Sequence, residues 1–387
     1  MIPYGRQDLD EDDIKAVEAV LRSDWLTQGP FVSQFESDIA AYCGAKFAVA
    51  VTNATSALHL AMLGLELGPG KRLWTSPNTF VASANCGLYC GAEVDFVDIN
   101  PQTYNMDVSC LEKKLEQAHA KGKLPDVVVP VHFSGQACDV RQINELSRHY
   151  GFNIVEDGAH AIGGKYLNSP IGNCRFSDAT IFSFHPVKII TTAEGGVVTT
   201  NNEVLYRRLL RLRNHGIVRN PAEMQGSVEG AWYYQQVDLG FNYRMTDLQA
   251  ALGSSQMKKL DTFVARRAQL VQQYHALLKG LPLTTPFSAE YASSSWHLYV
   301  IRLENKAHRK PLFDYLRAND IGVNVHYIPV HTQPWYRKMG FKAGDFPNAE
   351  DYYSRVISLP LHTRLTDEQQ LHIVSLIKNW FAKEAAA

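Results

Sequence analysis

DATIFSFHPVKIITTAEGGVVTTN, residues 178–201, carries two strand-like runs, DATIFSFH (178–185) and GVVTTN (196–201), around a segment with a single lysine. Lys188 stands among Val187, Ile189 and Ile190 and is followed by two threonines, a glutamate and paired glycines. An ammonium held between apolar residues loses hydration, so its pKa falls and the neutral amine becomes a nucleophile. Taken alone, the stretch better suits a lysine snorkelling from a strand end. What surrounds it along the chain has to decide.

Outward from this segment, strand and helix patterns alternate. On the N-terminal side they read as helix 9–23, strand 47–53, helix 54–67, strand 72–77, helix 79–90, strand 92–99, strand 126–133, helix 140–151 and strand 152–159. Such alternation predicts a mostly parallel sheet with helices on both faces. Beyond a long helical stretch (245–281) the pattern changes to strand 296–303, helix 308–322, strand 323–328 and a terminal helix 367–385. The expected division is a large domain over 1–250 and a smaller α/β domain over 251–387.

The 387 residues are 45% hydrophobic and 20% charged, an ordinary globular composition with room for two domains. A formal net charge of −1 excludes binding of nucleic acid through a global basic field. The first residues, MIPYGRQDLDEDDIKAV, turn acidic and lack the apolar core of a signal peptide, and no apolar run is long enough to span a membrane. Cys43, Cys86, Cys90, Cys110, Cys138 and Cys174 are scattered without a CxxC pair, which predicts reduced thiols, a cytoplasmic protein and no metal site.

In parallel α/β architectures chemistry gathers at the carboxyl ends of strands, where TNATSA, HFSGQ, EDGAHA and SFHPVK all fall. Asn53-Ala54-Thr55-Ser56 marks a strand-to-helix junction whose free N–H groups suit a phosphate, or simply an N-cap. Neither a P-loop nor a GxGxxG fingerprint occurs. Asp157 can cap a helix or hold a cationic ring nitrogen, Ser183 can be a second phosphate donor, and Phe80 can be core or stack on a flat ring. His160 is either a packed or capping histidine or part of the same set. A group with one phosphate, one pyridine nitrogen and one aldehyde would use all of these together: pyridoxal 5′-phosphate.

The chain resembles the DegT/DnrJ/EryC1/StrS family of sugar aminotransferases nearly end to end. The similar motifs are WLTQGPFVSQFE (25–36), TNATSALHLAM (52–62), EDGAHAIGGKY (156–166), SFHPVKIITTAEGG (183–196), LRNHG (212–216), GFNYRMTDLQAALG (240–253) and VHYIPVH (325–331). The resemblance implies a fold-type I enzyme with a mostly parallel, seven-stranded-type sheet. It implies that Lys188 joins the cofactor's aldehyde and Asp157 faces the pyridinium nitrogen. Ala54, Thr55 and Ser183 would bind the phosphate, Phe80 would lie over the ring, and His160 would belong to the cofactor site. Asn242 would reach the phosphate of a neighbouring subunit, which makes the active site a property of a homodimer.

Within the family, WHLYV (296–300), VHYIPVHTQPWY (325–336) and AEDYYSRVISLPLH (349–362) look most like the branch that aminates C4 of a UDP-4-keto-6-deoxy-N-acetylhexosamine in pseudaminic acid biosynthesis. L-Glutamate would be the donor and leave as 2-oxoglutarate. Enzymes making UDP-4-amino-4-deoxy-L-arabinose or perosamine share the frame. A PLP lyase or a non-catalytic binding protein is the reading outside transamination. His215, Arg219, Arg244 and His326 are the candidate cations for the substrate's diphosphate, and His185 is a candidate sugar contact.

Overall fold

The computed structural model describes residues 1–386. Its topology turns on the connection that carries Lys188. The large sheet contains β1 (Phe47–Val51), β2 (Arg72–Thr75), β3 (Glu93–Phe96), β4 (Val127–Val129), β5 (Asn153–Asp157), β6 (Ala179–Ser183) and β7 (Gly196–Thr200). These seven strands lie in the order β1-β7-β6-β5-β4-β2-β3. All pairs from β3 to β6 are parallel, whereas β7 is antiparallel to both β6 and β1. The reason is local: residues 184–195 contain no helix, so the chain cannot cross over the sheet and instead doubles back beside β6. Ser183, the last residue of β6, is thereby paired with Gly196, the first of β7.

Alternation along the strands feeds two cores, one on each face of the sheet. Val49 and Val51 of β1 join Leu58, Val127, Val129, Ile181 and Val198 in one cluster; Ala48, Ala50, Val128, Ile154, Phe182 and Val197 belong to the other. After α1 (Glu11–Leu21) and α2 (Pro30–Cys43), the first face is covered by α3 (Ala54–Gly64), α4 (Ala82–Tyr89) and α7 (Glu203–Leu212). α5 (Val108–Ala120) and α6 (Val140–Tyr150) pack into the second core. Gly151 ends α6 with a φ of 83°, a left-handed C-cap that suits glycine.

A third core lies around a three-stranded antiparallel sheet of β8 (Leu283–Thr284), β9 (Tyr299–Leu303) and β10 (Val356–Leu359), packed by the helices Arg309–Ala318 and Asp367–Ala386. The expected helical stretch 245–281 is two helices, Asp247–Met257 and Leu260–Leu277. The second of these spans two cores, with Leu260 and Phe263 in one and Leu270, Val271 and Tyr274 in the third. Between them Arg267, 1% exposed, donates from Nη1 to the carbonyls of Trp296, His297 and Leu361 at 3.1, 3.2 and 3.0 Å.

The expected strand 323–328 does not form. Its backbone meets the small sheet at one isolated bridge, Asn324 with Ser358. The donors that follow turn to the loop after β2 of the large sheet: Tyr327 N–H to Asn78 Oδ1 at 3.3 Å and Val330 N–H to the Pro77 carbonyl at 2.9 Å. This segment is a wall between the cores rather than a strand.

At Gly196 the doubled-back chain lies hard against the backbone of another segment. A Cβ there would lie 2.5 Å from the Asn53 carbonyl carbon and 2.6 Å from Ala54 N. We expect Gly196→Ala to cost about 3 kcal/mol, the usual scale of overpacking against backbone. A lowered urea midpoint at unchanged m-value would register it.

Candidate active site

A cleft of about 690 Å³ opens where β1, β5 and β6 end, and it is lined by Asn53–Thr55, Thr79–Ser83, Asp157, His160, Ser183, His185, Lys188 and Asn324–Ile328, among others. At its β1 corner, Asn53 caps α3 by accepting the Ser56 N–H at 2.8 Å. The N–H groups of Ala54 and Thr55 have no acceptor among the described residues and sit at the positive end of the helix. Ser183 joins them from the end of β6, 8% exposed. Such a junction is built for a phosphate.

Asp157 ends β5 and is buried. Its Oδ2 accepts the Ser83 hydroxyl at 2.6 Å and its Oδ1 accepts the Ala159 N–H at 3.0 Å. Because Ser83 donates to the carboxylate, the Thr79 hydroxyl, 2.7 Å away, donates to Ser83. The carboxylate is fixed in position before any ligand arrives.

Lys188 lines the cleft on a segment whose neighbours Ile189 and Ile190 are core residues. The segment is pinned by Phe184 N–H to the Gly195 carbonyl at 2.9 Å and Thr192 N–H to the Phe184 carbonyl at 3.0 Å. Burial pushes the Lys188 ammonium down to about 8, and the charge of Asp157 opposes but does not cancel this. Two histidines of the cleft, His160 and His326, are pushed toward the neutral form. Burial, then the charge of Lys188, holds His160 well below its ordinary value, and burial takes His326 down to about 3.

Nine residues expected at the site, Ala54, Thr55, Phe80, Asp157, His160, Ser183, His185, Lys188 and His326, do line this cleft. Phe80 is 59% exposed at its rim, so the reading of it as core does not hold. His326 is there as a neutral ring bonded through Nδ1 to Ser358 Oγ at 2.7 Å, not as the expected cation. His215, Arg219, Asn242 and Arg244 lie outside the cleft of their own chain. Asn242 is bridged to Asn214, Arg244 donates to Asn214 Oδ1 at 2.6 Å, and Arg219 lies over the Tyr234 ring.

Sequence reasoning did not single out Tyr4, Ser83, Glu194 or Tyr327. Tyr327 and Glu194 fall inside motifs already conspicuous, VHYIPVH and TTAEGG, whereas Tyr4 is placed by long-range pairing, its carbonyl accepting the Leu361 N–H at 3.0 Å.

A depressed lysine, an anchored carboxylate and a helix N-terminus converging at strand ends fit pyridoxal 5′-phosphate, and with this sheet they define a fold-type I pyridoxal-phosphate enzyme. Residues 7–378 match the DegT/DnrJ/EryC1/StrS aminotransferase family, and the chain belongs to it. It is 38% identical to the spore coat polysaccharide biosynthesis protein SpsC of Bacillus subtilis, over 98% of this chain and 96% of that protein. It is 36% identical to a UDP-4-amino-4,6-dideoxy-N-acetyl-beta-L-altrosamine transaminase of Campylobacter jejuni, over 94% and 93%. Among solved structures, Helicobacter pylori PseC, an aminotransferase involved in the biosynthesis of pseudoaminic acid, superposes with a TM-score of 0.90 at 30% identity, covering 99% of each chain. The protein is a PLP-dependent sugar transaminase.

Two outcomes follow from the depressed lysine. Between pH 8 and the ordinary lysine value of 10.5, the unfolded chain holds a proton that the folded one has lost. Stability of the cofactor-free protein therefore rises with pH through that window. In Lys188→Met this contribution disappears from the melting temperature–pH curve. Lys188→Ala loses on the order of 10⁴-fold in turnover, and Asp157→Asn roughly 10²- to 10³-fold, each measured by steady-state amino transfer.

Proposed function

We propose that the enzyme transfers the amino group of L-glutamate to C4 of a UDP-4-keto-6-deoxy-N-acetylhexosamine, the pseudaminic acid type of reaction. The observation that carries the chemistry is Lys188, an amine brought near neutrality in a cleft that also holds Asp157 and a phosphate cradle. The choice of sugar is supported by the activity named for the Campylobacter jejuni relative and the pathway named for Helicobacter pylori PseC.

In this reading Ala54, Thr55 and Ser183 hold the phosphate, Asp157 keeps the ring nitrogen protonated, Lys188 holds the aldehyde, and Phe80 lies over the ring. When bound, the cofactor supplies an aldehyde that accepts amines and a cationic ring that draws off charge left at a deprotonated carbon. Lys188 is the cleft's base. It takes the proton from the α-carbon of glutamate, and in the second half-reaction delivers one to C4 of the sugar, fixing which face is protonated. 2-Oxoglutarate leaves between the two halves.

The working unit is proposed to be a homodimer in the cytoplasm. Among the described residues no arginine lines the cleft, yet the substrate carries a diphosphate. His215, Arg219 and Asn242 are exposed, and they share their stretch of chain with exposed Trp232, Tyr234 and Leu239. An apolar surface of this kind is suited to a second copy, whose cleft these polar residues would then complete. The cysteines, all free thiols, agree with a reducing compartment. The higher identity to SpsC favours as second reading another nucleotide sugar, such as the 4-amino-4-deoxy-L-arabinose or perosamine type.

Absorbance of the bound cofactor separates these. We expect L-glutamate to bleach it and the UDP-4-keto sugar to restore it. Bleaching without recovery would leave the aminotransferase and discard the sugar. Mixing Lys188→Ala with Asn242→Ala subunits tests the shared site: half the dimers are mixed and each has one intact site, so activity should return to about one quarter of wild type. No recovery would put Asn242 outside the partner's site.

A further inference from the structure

Tyr327 sits in the wall segment 323–328 and lines the cleft. Its ring is held at 6.2 Å from Phe133, edge-on, and stacked at 6.0 Å from His160, with an 18° angle between the latter planes. Its hydroxyl lies 3.1 Å from His160 Nε2. Which of the two donates is decided on the far side of the imidazole. There the backbone N–H of Ser134 points at His160 Nδ1 from 3.3 Å. A backbone N–H can only donate, so Nδ1 is the acceptor and, in a neutral ring, the proton rests on Nε2. His160 therefore donates to the Tyr327 oxygen, and the tyrosine's own proton is left over.

Ser134 is fixed in this office from several directions. It has a φ of 60°, its hydroxyl donates to the Leu298 carbonyl at 2.6 Å, and its carbonyl accepts the His297 N–H at 2.9 Å. His160 packs against the His297 ring at 4.3 Å. Burial and the nearby Asp157 charge keep the phenol protonated far above its ordinary range. Among the described residues the Tyr327 hydroxyl has no other partner, so its proton has no protein acceptor.

An O–H donates to a carboxylate or a sugar oxygen alike, but the wall 323–328 that carries Tyr327 holds no lysine or arginine to pair with the charge of an amino-acid donor, whereas the neutral oxygens of a sugar need only neutral donors. From this geometry we infer that the Tyr327 hydroxyl, oriented by the Ser134–His160 pair, donates a hydrogen bond to a sugar oxygen of the keto substrate. The inference rests on the keto-sugar reading above for its acceptor, and on the hydrogen-bond direction for its donor.

Two measurements test it. In ¹⁵N-histidine-labelled cofactor-free protein, with the His160 signals assigned by their loss in His160→Gln, the ring should be the Nε2–H tautomer. An Nδ1–H tautomer would make Tyr327 the donor to His160 and overturn the inference. In Tyr327→Phe, single-turnover rates of the two half-reactions should diverge, the sugar-to-glutamate ratio falling roughly 10- to 100-fold, as for one hydrogen bond lost at a reacting ligand. An equal loss in both halves, or in neither, would reduce Tyr327 to a structural prop. If wild type recovers its absorbance with no keto sugar nucleotide, the substrate reading falls and takes the acceptor with it. Wild-type recovery without divergence in the variant removes the Tyr327 role alone.

Discussion

The peptide joining Asn53 to Ala54 lies so close to the Gly196 α-carbon that no side chain fits between them. That contact brings together three consequences of one short connection. Residues 184–195 are without a helix, so the chain returns beside β6 and reverses one strand of an otherwise parallel sheet. The reversal places Ser183 beside Gly196, and Gly196 against the first turn of α3. The proposed phosphate cradle is therefore assembled from two strand ends and a helix start that no parallel crossover would have put in contact. Lys188 rides on the same connection, so the cradle and the amine are fixed by one folding decision.

Electrostatics then sort the cleft's ionisable groups by how they are paid for in hydrogen bonds. Asp157 stays anchored by a hydroxyl and a backbone N–H. Among the described residues Lys188 has no such hydrogen-bond partner, and the loss of water outweighs the attraction of Asp157. His160 and His326 yield first, because a neutral imidazole still has one donor and one acceptor to satisfy, as His326 does with Ser358. In the proposed reaction the proton that moves is thus left to the lysine. A charged histidine beside it would have to share the same unsolvated space with a second cation.

The order of strands and helices was legible in the sequence where apolar runs were short and bounded, and the four strand-end motifs were legible as a group because parallel sheets put their chemistry at one end. α5 and α7 escaped the reading: VSCLEKKLEQAHA and EVLYRRLLRL bury one narrow stripe, such as Leu111 and Leu115 or Leu205 and Leu209, and are charged elsewhere. The strand expected over 323–328 had the right alternation, but its N–H groups found Asn78 and Pro77 instead of a neighbouring strand. Hydropathy does not encode which acceptor a backbone donor will meet. For the same reason His326 passed for a cation: its burial comes from Tyr4 and Ser358, both distant in sequence.

That broken strand also explains why the cleft has two kinds of wall. The strand ends of the large sheet present charge and backbone donors in fixed positions, suited to a group that must be held identically in every turnover. The wall 323–328 is tied to the loop after β2 through Asn78 and to the small sheet through Asn324 and Ser358, and it offers uncharged polar groups. Ser134 couples the two walls, since it bonds His160 on one side and the chain at His297 and Leu298 on the other. Any displacement of the small core is therefore felt at the His160 ring, while the Asp157 and α3 contacts, which lie within the large sheet's own frame, do not depend on it. A cleft so divided can keep its cofactor chemistry constant while substitutions in the second wall alter which sugar it accepts.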